Sequence, residues 1–187
     1  MGRLTREEEL MYIVDMFLDN RASRYVTYIW QSLSDKGIDS SLIDTEGLFP
    51  HITLAIYEDI DENRFIAKMK EFKNKLKSID TRFDAIGAFP TTGTCFAKPV
   101  VTEEIIKMHR EYYEFFKEFN DTARTYYLPG KWNPHCSLAI GLNKEKLKEV
   151  MNFVIDIYEP FDASLEGIAL YKVEMENGKF TDSIRLF

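Results

Sequence analysis

The chain has few of the residues that indicate a disulfide framework, a membrane segment or a basic surface. Its 187 residues include two cysteines, too few for a disulfide-stabilised secreted fold, so a reducing, cytoplasmic setting is expected. No apolar run approaches the roughly 20 residues that span a membrane. Lysine and arginine number 24 against 31 acidic residues, a net charge of −7. Bulk attraction for long duplex nucleic acid is therefore not expected, and any phosphate must be held by local donors.

The chain also lacks a segment with the composition of a linker. Hydrophobic residues make up 45% and charged residues 29%, which is typical of a globular protein with a substantial core. We therefore predict that residues 1–187 form a single domain.

A seven-residue pattern occurs twice in this chain. Residues 50–56 read Pro-His-Ile-Thr-Leu-Ala-Ile, and residues 134–140 read Pro-His-Cys-Ser-Leu-Ala-Ile, an offset of 84 residues. Both copies keep a histidine followed two positions later by a hydroxyl residue. An offset close to half the chain length predicts a duplicated half-domain.

The apolar, β-branched composition of each copy predicts a strand, at 51–57 and at 135–141. Side chains alternate between the faces of a strand, so the histidine and the hydroxyl share a face about 7 Å apart. The small residues Ala55, Ala139 and Gly141 fall on the same faces and would leave room for a ligand. Two such strands would form a cleft containing His51, Thr53, His135 and Ser137.

The remaining patterns predict an α+β fold. It would have two similar lobes related by a pseudo-two-fold duplication, with mostly antiparallel sheets around a central cleft and helices outside. We predict an extra amphipathic helix over 5–19, a strand over 24–31, a helix or loop over 32–43, helices over 61–77, 102–119 and 144–157, a loop over 120–131, and strands over 81–89, 94–100, 161–172 and 179–187.

Several residues outside the repeat are further candidates for substrate contact. Tyr28, Tyr57 and Trp132 are candidates for stacking on a base, and Arg124 and Lys131 for contact with phosphate. His109 falls on an apolar helical stripe and is interpreted as a packing residue. Cys136 falls on the core face of its strand, which argues against a role as nucleophile. The chain offers no sequence pattern typical of a metal site.

The two His-x-Thr/Ser motifs resemble those of the two-histidine phosphoesterase superfamily, which includes 2′-5′ RNA ligases and cyclic phosphodiesterases. The order of strands and helices is similar from about residue 24 to residue 187, and the bacterial 2′-5′ RNA ligase-like members are most similar. This resemblance implies that His51 and His135 are the acid–base pair and that Thr53 and Ser137 hold phosphate oxygens. It also implies opening of a 2′,3′-cyclic phosphate, or the reverse ligation, without a metal or another cofactor.

The residue types suit this chemistry independently, since two histidines can occupy opposite protonation states near neutral pH. Other interpretations stay open. The chain could be a non-catalytic module that binds RNA ends or nucleotides, or a metal-dependent hydrolase. The sequence indicates neither the physiological substrate, nor which histidine is the acid, nor the oligomeric state.

Overall fold

Antiparallel strands joined edge to edge form the framework of the molecule, as seen in a computed structural model that describes residues 8–176 and 179–187. The strands are β1 (Glu8–Leu18), β2 (His51–Tyr57), β3 (Ile79–Phe89), β4 (Thr94–Pro99), β5 (Cys136–Ala139), β6 (Phe161–Glu176) and β7 (Lys179–Arg185). The helices are α1 (Asn20–Asp35), α2 (Glu62–Lys73), α3 (Glu103–Phe115) and α4 (Lys144–Ile157), with 3-10 turns at Lys117–Thr122 and Thr125–Tyr127. The predicted α+β class is confirmed.

The strand order shows the duplication directly. Six strands follow the order β2-β1-β6-β3-β4-β5, and β7 pairs with β6 outside this path. The chain segments β1-α1-β2-α2-β3 and β4-α3-β5-α4-β6 have the same order of elements. Exchanging equivalent strands of the two halves gives the same strand order read from the other end. A pseudo-two-fold axis therefore passes between β6 and β3. The two lobes share one hydrogen-bonded sheet because the long strand β6 pairs with both β1 and β3.

Three helices form where the sequence predicts them, because each has a side-chain cap and an apolar face. Asp61, Thr102 and Asn143 accept hydrogen bonds from backbone N–H groups in the first turns of α2, α3 and α4. On α2 the buried residues are Phe65, Met69 and Phe72, at helical spacing.

The helix predicted over 5–19 is wrong. Residues 8–18 form β1, which pairs with β2 on one side and β6 on the other, while residues 5–7 lie outside the described part of the chain. The apolar residues of this stretch fit a helical stripe, but alternate positions also fit the core face of a strand. Val14, Met16 and Leu18 are buried in the core, and pairing on both edges decides the conformation.

The strand predicted over 24–31 is also wrong, because these residues lie within helix α1. Asp19 caps this helix by accepting hydrogen bonds from the backbone N–H groups of Arg21 and Ala22. The β-branched and aromatic residues of this stretch are weak helix formers, but the helical spacing of the buried residues prevails. These are Ala22, Val26, Ile29, Trp30 and Leu33.

None of the helices in residues 8–176 and 179–187 is long and apolar enough to cross a membrane.

If β1 is a core strand, truncating its buried side chains should destabilise the fold. Met16 is 0% exposed and Leu10 on the same strand is 42% exposed. We expect Met16→Ala to lower the free energy of unfolding by about 2–5 kcal/mol because it leaves a cavity. Leu10→Ala should cost less than about 1 kcal/mol. Urea unfolding followed by circular dichroism measures both, and equal costs would contradict the central position of β1.

Candidate active site

The two strands that carry the repeated motif lie side by side. They are the two ends of the strand order, and β2 contacts β5 where the sheet curves round. The only two tryptophans of the chain join them reciprocally. Trp30 of the first half donates to the Ser137 carbonyl at 3.0 Å, and Trp132 of the second half donates to the Thr53 carbonyl at 2.9 Å. The two halves are thereby fixed to each other at the motifs.

Each motif histidine is held in the same way. His51 Nδ1 lies 2.7 Å from the Phe49 carbonyl oxygen, and His135 Nδ1 lies 2.8 Å from the Asn133 carbonyl oxygen. A carbonyl can only accept, so Nδ1 carries the hydrogen in both rings. Each Nε2 is therefore left to exchange a proton with a ligand.

Aromatic rings surround His135. The Phe89 ring meets its imidazole edge-on at 5.0 Å between centroids, and the Phe96 ring lies at 5.2 Å. Burial lowers the pKa of His135, the Asn133 carbonyl opposes this effect, and the charge of His51 lowers the pKa further. The two imidazoles are thus close enough to interact, and His135 favours the neutral form.

A carboxylate lies beside the other histidine. The Asp15 side chain, on β1, accepts a hydrogen bond from the Thr53 hydroxyl at 2.7 Å and lies 3.7 Å from His51 Nε2. Asp15 is only 5% exposed, so it forms the floor of this half of the site. The Asp15 carboxylate therefore lies within ion-pair distance of the His51 ring.

A β-bulge follows the hydroxyl residue in both motif strands. Val14 pairs with Ala55 and Asp15 with Thr53, so Leu54 is the extra residue of β2. Leu138 is the extra residue of β5 in the same way, since Cys95 pairs with Ala139 and Phe96 with Ser137. A bulge turns the following side chains to the opposite face. The predicted alternation therefore holds only as far as Thr53 and Ser137.

The bulges turn Ala55, Tyr57 and Ala139 into the core. Ala55 and Ala139 are 0% exposed and do not line the cleft, contrary to the prediction. Tyr57 is 0% exposed, with its hydroxyl 2.9 Å from the Tyr112 hydroxyl. The hypothesis that Tyr57 stacks on a base is therefore wrong.

Trp132 and His109 satisfy the backbone of the first bulge. Their rings stack at 3.9 Å between centroids, with 1° between the planes. His109 Nε2 lies 3.3 Å from the carbonyl oxygen of Leu54, next to the Thr53 carbonyl that Trp132 binds. Trp132 therefore supports the first bulge with one stacked face and its N–H, and it is half-buried, so its stacking on a base stays a prediction. His109 is buried, in agreement with its interpretation as a packing residue.

The other candidates lie outside this cluster. Arg124 forms ion pairs with Glu9 at 3.3 Å and Glu58 at 3.9 Å, so carboxylates already neutralise its charge. Tyr28 is exposed on α1, and its only recorded ring contact in residues 8–176 and 179–187 is with Tyr25. Lys131 is exposed beside Trp132. No contact within the described residues joins any of these three to either histidine.

Comparison with known proteins identifies the family. A sequence profile of the 2′-5′ RNA ligase superfamily matches residues 27–176. This chain belongs to the 2′-5′ RNA ligase superfamily. The crystal structure of a phosphoesterase aligns with a TM-score of 0.52 and 10% identity, covering 95% of this chain and 98% of that one. The structure of Kluyveromyces marxianus Usb1 aligns with a TM-score of 0.50 and 12% identity, covering 95% and 97%.

These structural similarities, at such low identity, establish a shared fold, that of the two-histidine phosphoesterases. No curated protein sequence matches the chain.

Several residues of this superfamily member come into the site without a sequence signal. Phe17 of β1 pairs with His51 of β2. The Arg185 guanidinium lies 5.6 Å from the centre of the Phe17 ring. Phe49 meets the Phe17 ring edge-on at 6.2 Å. Asp15 and Phe17 lie in the stretch predicted to be helical, and this error hid their position opposite the motif. Only correct strand pairing could have found them.

The donor set offers little to a metal ion. In the part of the chain that the structure describes, no cluster of three or more His, Cys, Asp or Glu side chains could hold one. Burial raises the pKa of Cys136 to about 12, so this thiol stays protonated in the core.

The buried His109 should make the protein sensitive to acid. Burial lowers its pKa from 6.5 to about 4, so the folded state favours the neutral imidazole. Its contribution to stability is complete above pH 6.5 and is lost as the pH falls towards 4, by about 3 kcal/mol. We expect His109→Gln, which keeps an N–H donor but does not titrate, to lose correspondingly less stability over this range. Urea unfolding at several pH values tests this; parallel curves for the two proteins would contradict it.

Proposed function

We propose that this chain is a metal-independent phosphoesterase that opens a 2′,3′-cyclic phosphate on an RNA end or a nucleotide, or a related cyclic phosphodiester. The reverse reaction would be 2′-5′ ligation. One observation carries the proposal: two imidazoles, from the two pseudo-symmetric halves, each bind a carbonyl through Nδ1 and keep Nε2 available. Such a pair can move protons on opposite sides of a phosphate without a metal.

We infer the roles of the two histidines in hydrolysis from their different surroundings. His135, whose pKa is lowered by burial, is neutral and takes a proton from the attacking water. His51, whose Nε2 lies 3.7 Å from Asp15 Oδ1, would then give a proton to the leaving ribose oxygen. The water oxygen bonds to phosphorus as one ring P–O bond breaks, so one proton is taken and one is given. Ligation exchanges the two roles.

The substrate class follows from charge and from the rings near the histidines. Phe17 and Phe49 lie on the His51 side, and Phe89 lies on the His135 side. Such rings offer contacts for the sugar or base of a nucleotide. With a net charge of −7, the protein offers no general attraction for a long polyanion. We therefore favour RNA ends and small nucleotides as substrates.

Removing either histidine should abolish most of the activity. We expect His51→Ala and His135→Ala each to lower kcat for a 2′,3′-cyclic nucleotide by roughly 10²–10⁴, the usual effect of losing a positioned acid or base. The double variant should lose less than the product, because the pair acts as a unit. The wild-type kcat/KM should follow a bell-shaped pH profile. The assay is run with a chelator present.

Asp156→Asn, an exposed change on α4, serves as the control and should leave the rate unchanged. Full activity of either histidine variant would refute the two-histidine mechanism. Nucleotide binding without any turnover by the wild type would favour the binding-module alternative. Loss of activity with chelator would favour a metal-dependent hydrolase.

The two hydroxyls should contribute unequally. The Thr53 hydroxyl donates to Asp15, whereas no protein partner is recorded for the Ser137 hydroxyl among the described residues. Ser137 is therefore free to donate to a phosphate oxygen. We expect Ser137→Ala to lower kcat/KM by about 2- to 12-fold, corresponding to one neutral hydrogen bond of about 0.5–1.5 kcal/mol. Steady-state kinetics test this, and an unchanged kcat/KM would remove Ser137 from the phosphate site.

A further inference from the structure

A buried negative charge in a site built for an anion needs a functional explanation. Asp15 is 5% exposed, and its Oδ1 lies 2.7 Å from the Thr53 hydroxyl and 3.7 Å from His51 Nε2. Packing alone would be served better by an uncharged residue, since burying a carboxylate is costly. The hydroxyl it engages is also one of the two donors predicted to bind phosphate.

The other half of the site has no such charge. The pairing of Asp15 with Thr53 corresponds, under the duplication, to the pairing of Phe96 with Ser137. Phe96 places an aromatic ring 5.2 Å from the His135 imidazole where the first half has a carboxylate. The carboxylate is therefore a property of one half-site and is not required by the strand geometry.

Besides His51, three titratable side chains interact with Asp15, and burial keeps them neutral. Burial raises the pKa values of Tyr127 and Cys136, and the charge of Asp15 raises both further, so both stay neutral. Burial also raises the pKa of Tyr171, where Arg185 and Asp15 act in opposite directions. The basic side chains near this half-site include His51, Arg185, which is exposed, and Arg124, which forms ion pairs with Glu9 and Glu58.

Asp15 is close enough to sense the charge of a bound phosphate. A phosphate oxygen bonded to His51 Nε2 would lie at most about 6.6 Å from Asp15 Oδ1, one hydrogen bond of about 2.9 Å beyond the Nε2 atom. This distance is shorter than the Debye length of about 8 Å at physiological salt. At such a distance, one additional negative charge weakens binding by roughly tenfold.

We propose that Asp15 makes the cleft selective for a singly charged phosphodiester over a doubly charged phosphomonoester. This inference rests on the proposed function and adds a reason for turnover. A cyclic phosphodiester carries one negative charge, and hydrolysis yields a monoester that loses a proton to reach about −2 near neutral pH. The product is then repelled by Asp15 and leaves, while the substrate is tolerated.

The test compares two ligands of the same shape and different charge. Uridine 3′-phosphate is close to a dianion at pH 7.5, whereas uridine 3′-sulfate is a monoanion. Calorimetric titration of the wild type should give a dissociation constant for the sulfate about tenfold lower than for the phosphate. Asp15→Asn keeps an oxygen to accept the Thr53 hydrogen bond and removes the charge. The Asp15→Asn variant should bind the two ligands about equally, or bind the phosphate more tightly than the sulfate.

Asp156→Asn removes the same charge from an exposed position on α4 and should keep the wild-type ratio. If Asp15 had a merely structural role, Asp15→Asn would weaken the binding of both ligands equally. The ratio of their dissociation constants would then stay unchanged, which would overturn the proposal. So would a wild type that binds the phosphate as tightly as the sulfate. If Asp15→Asn does not fold, Asp15→Ser, which also removes the charge, replaces it in the same titrations.

The same experiment separates this inference from the function on which it rests. If the wild type hydrolyses a 2′,3′-cyclic nucleotide but shows no preference for the sulfate, only the role of Asp15 is refuted. If it neither hydrolyses the cyclic nucleotide nor binds either uridine ligand, both proposals are refuted.

Discussion

The contact between the two motif strands is the constraint on which the site depends. The halves of the chain would each place a histidine and a hydroxyl on an edge strand, and neither half alone could act on both sides of a phosphate. The indole N–H groups of Trp30 and Trp132 fix the edges to each other by binding the carbonyls of Ser137 and Thr53. Each buried hydrogen bond is individually modest, about 1 kcal/mol. Together they join the two motif strands at the residues that follow the histidines.

The bulges explain how a site can open on strands whose continuation belongs to the core. Each motif strand presents its histidine and hydroxyl outward and then turns inward at Leu54 or Leu138. The bulge also releases backbone carbonyls from the regular ladder. His109 and Trp132 bind those of the first bulge, so a buried neutral imidazole becomes part of the support for the site.

The duplication places the two histidines at equivalent positions, but the side chains around them differ between the two halves. One histidine lies among Phe89 and Phe96, which disfavours its charged form. The other lies beside the Asp15 carboxylate, 3.7 Å from its Oδ1. General acid–base catalysis needs groups in opposite protonation states, and two identical half-sites would compete for the same state. In the proposed mechanism, this difference in neighbours separates the roles of two histidines that hold equivalent positions.

The sequence by itself determined the repeat, the two histidine–hydroxyl pairs and three capped helices, because these depend on local spacing and composition. It also predicted the α+β class. Only the tertiary structure decided that residues 8–18 are a strand and that α1 is a helix, since both stretches have periodicities compatible with either conformation. The bulges that bury Tyr57 and the placement of Asp15 beside Thr53 depend on which strands pair and in what register. That information lies in contacts between distant segments, which the local pattern of one sequence does not contain.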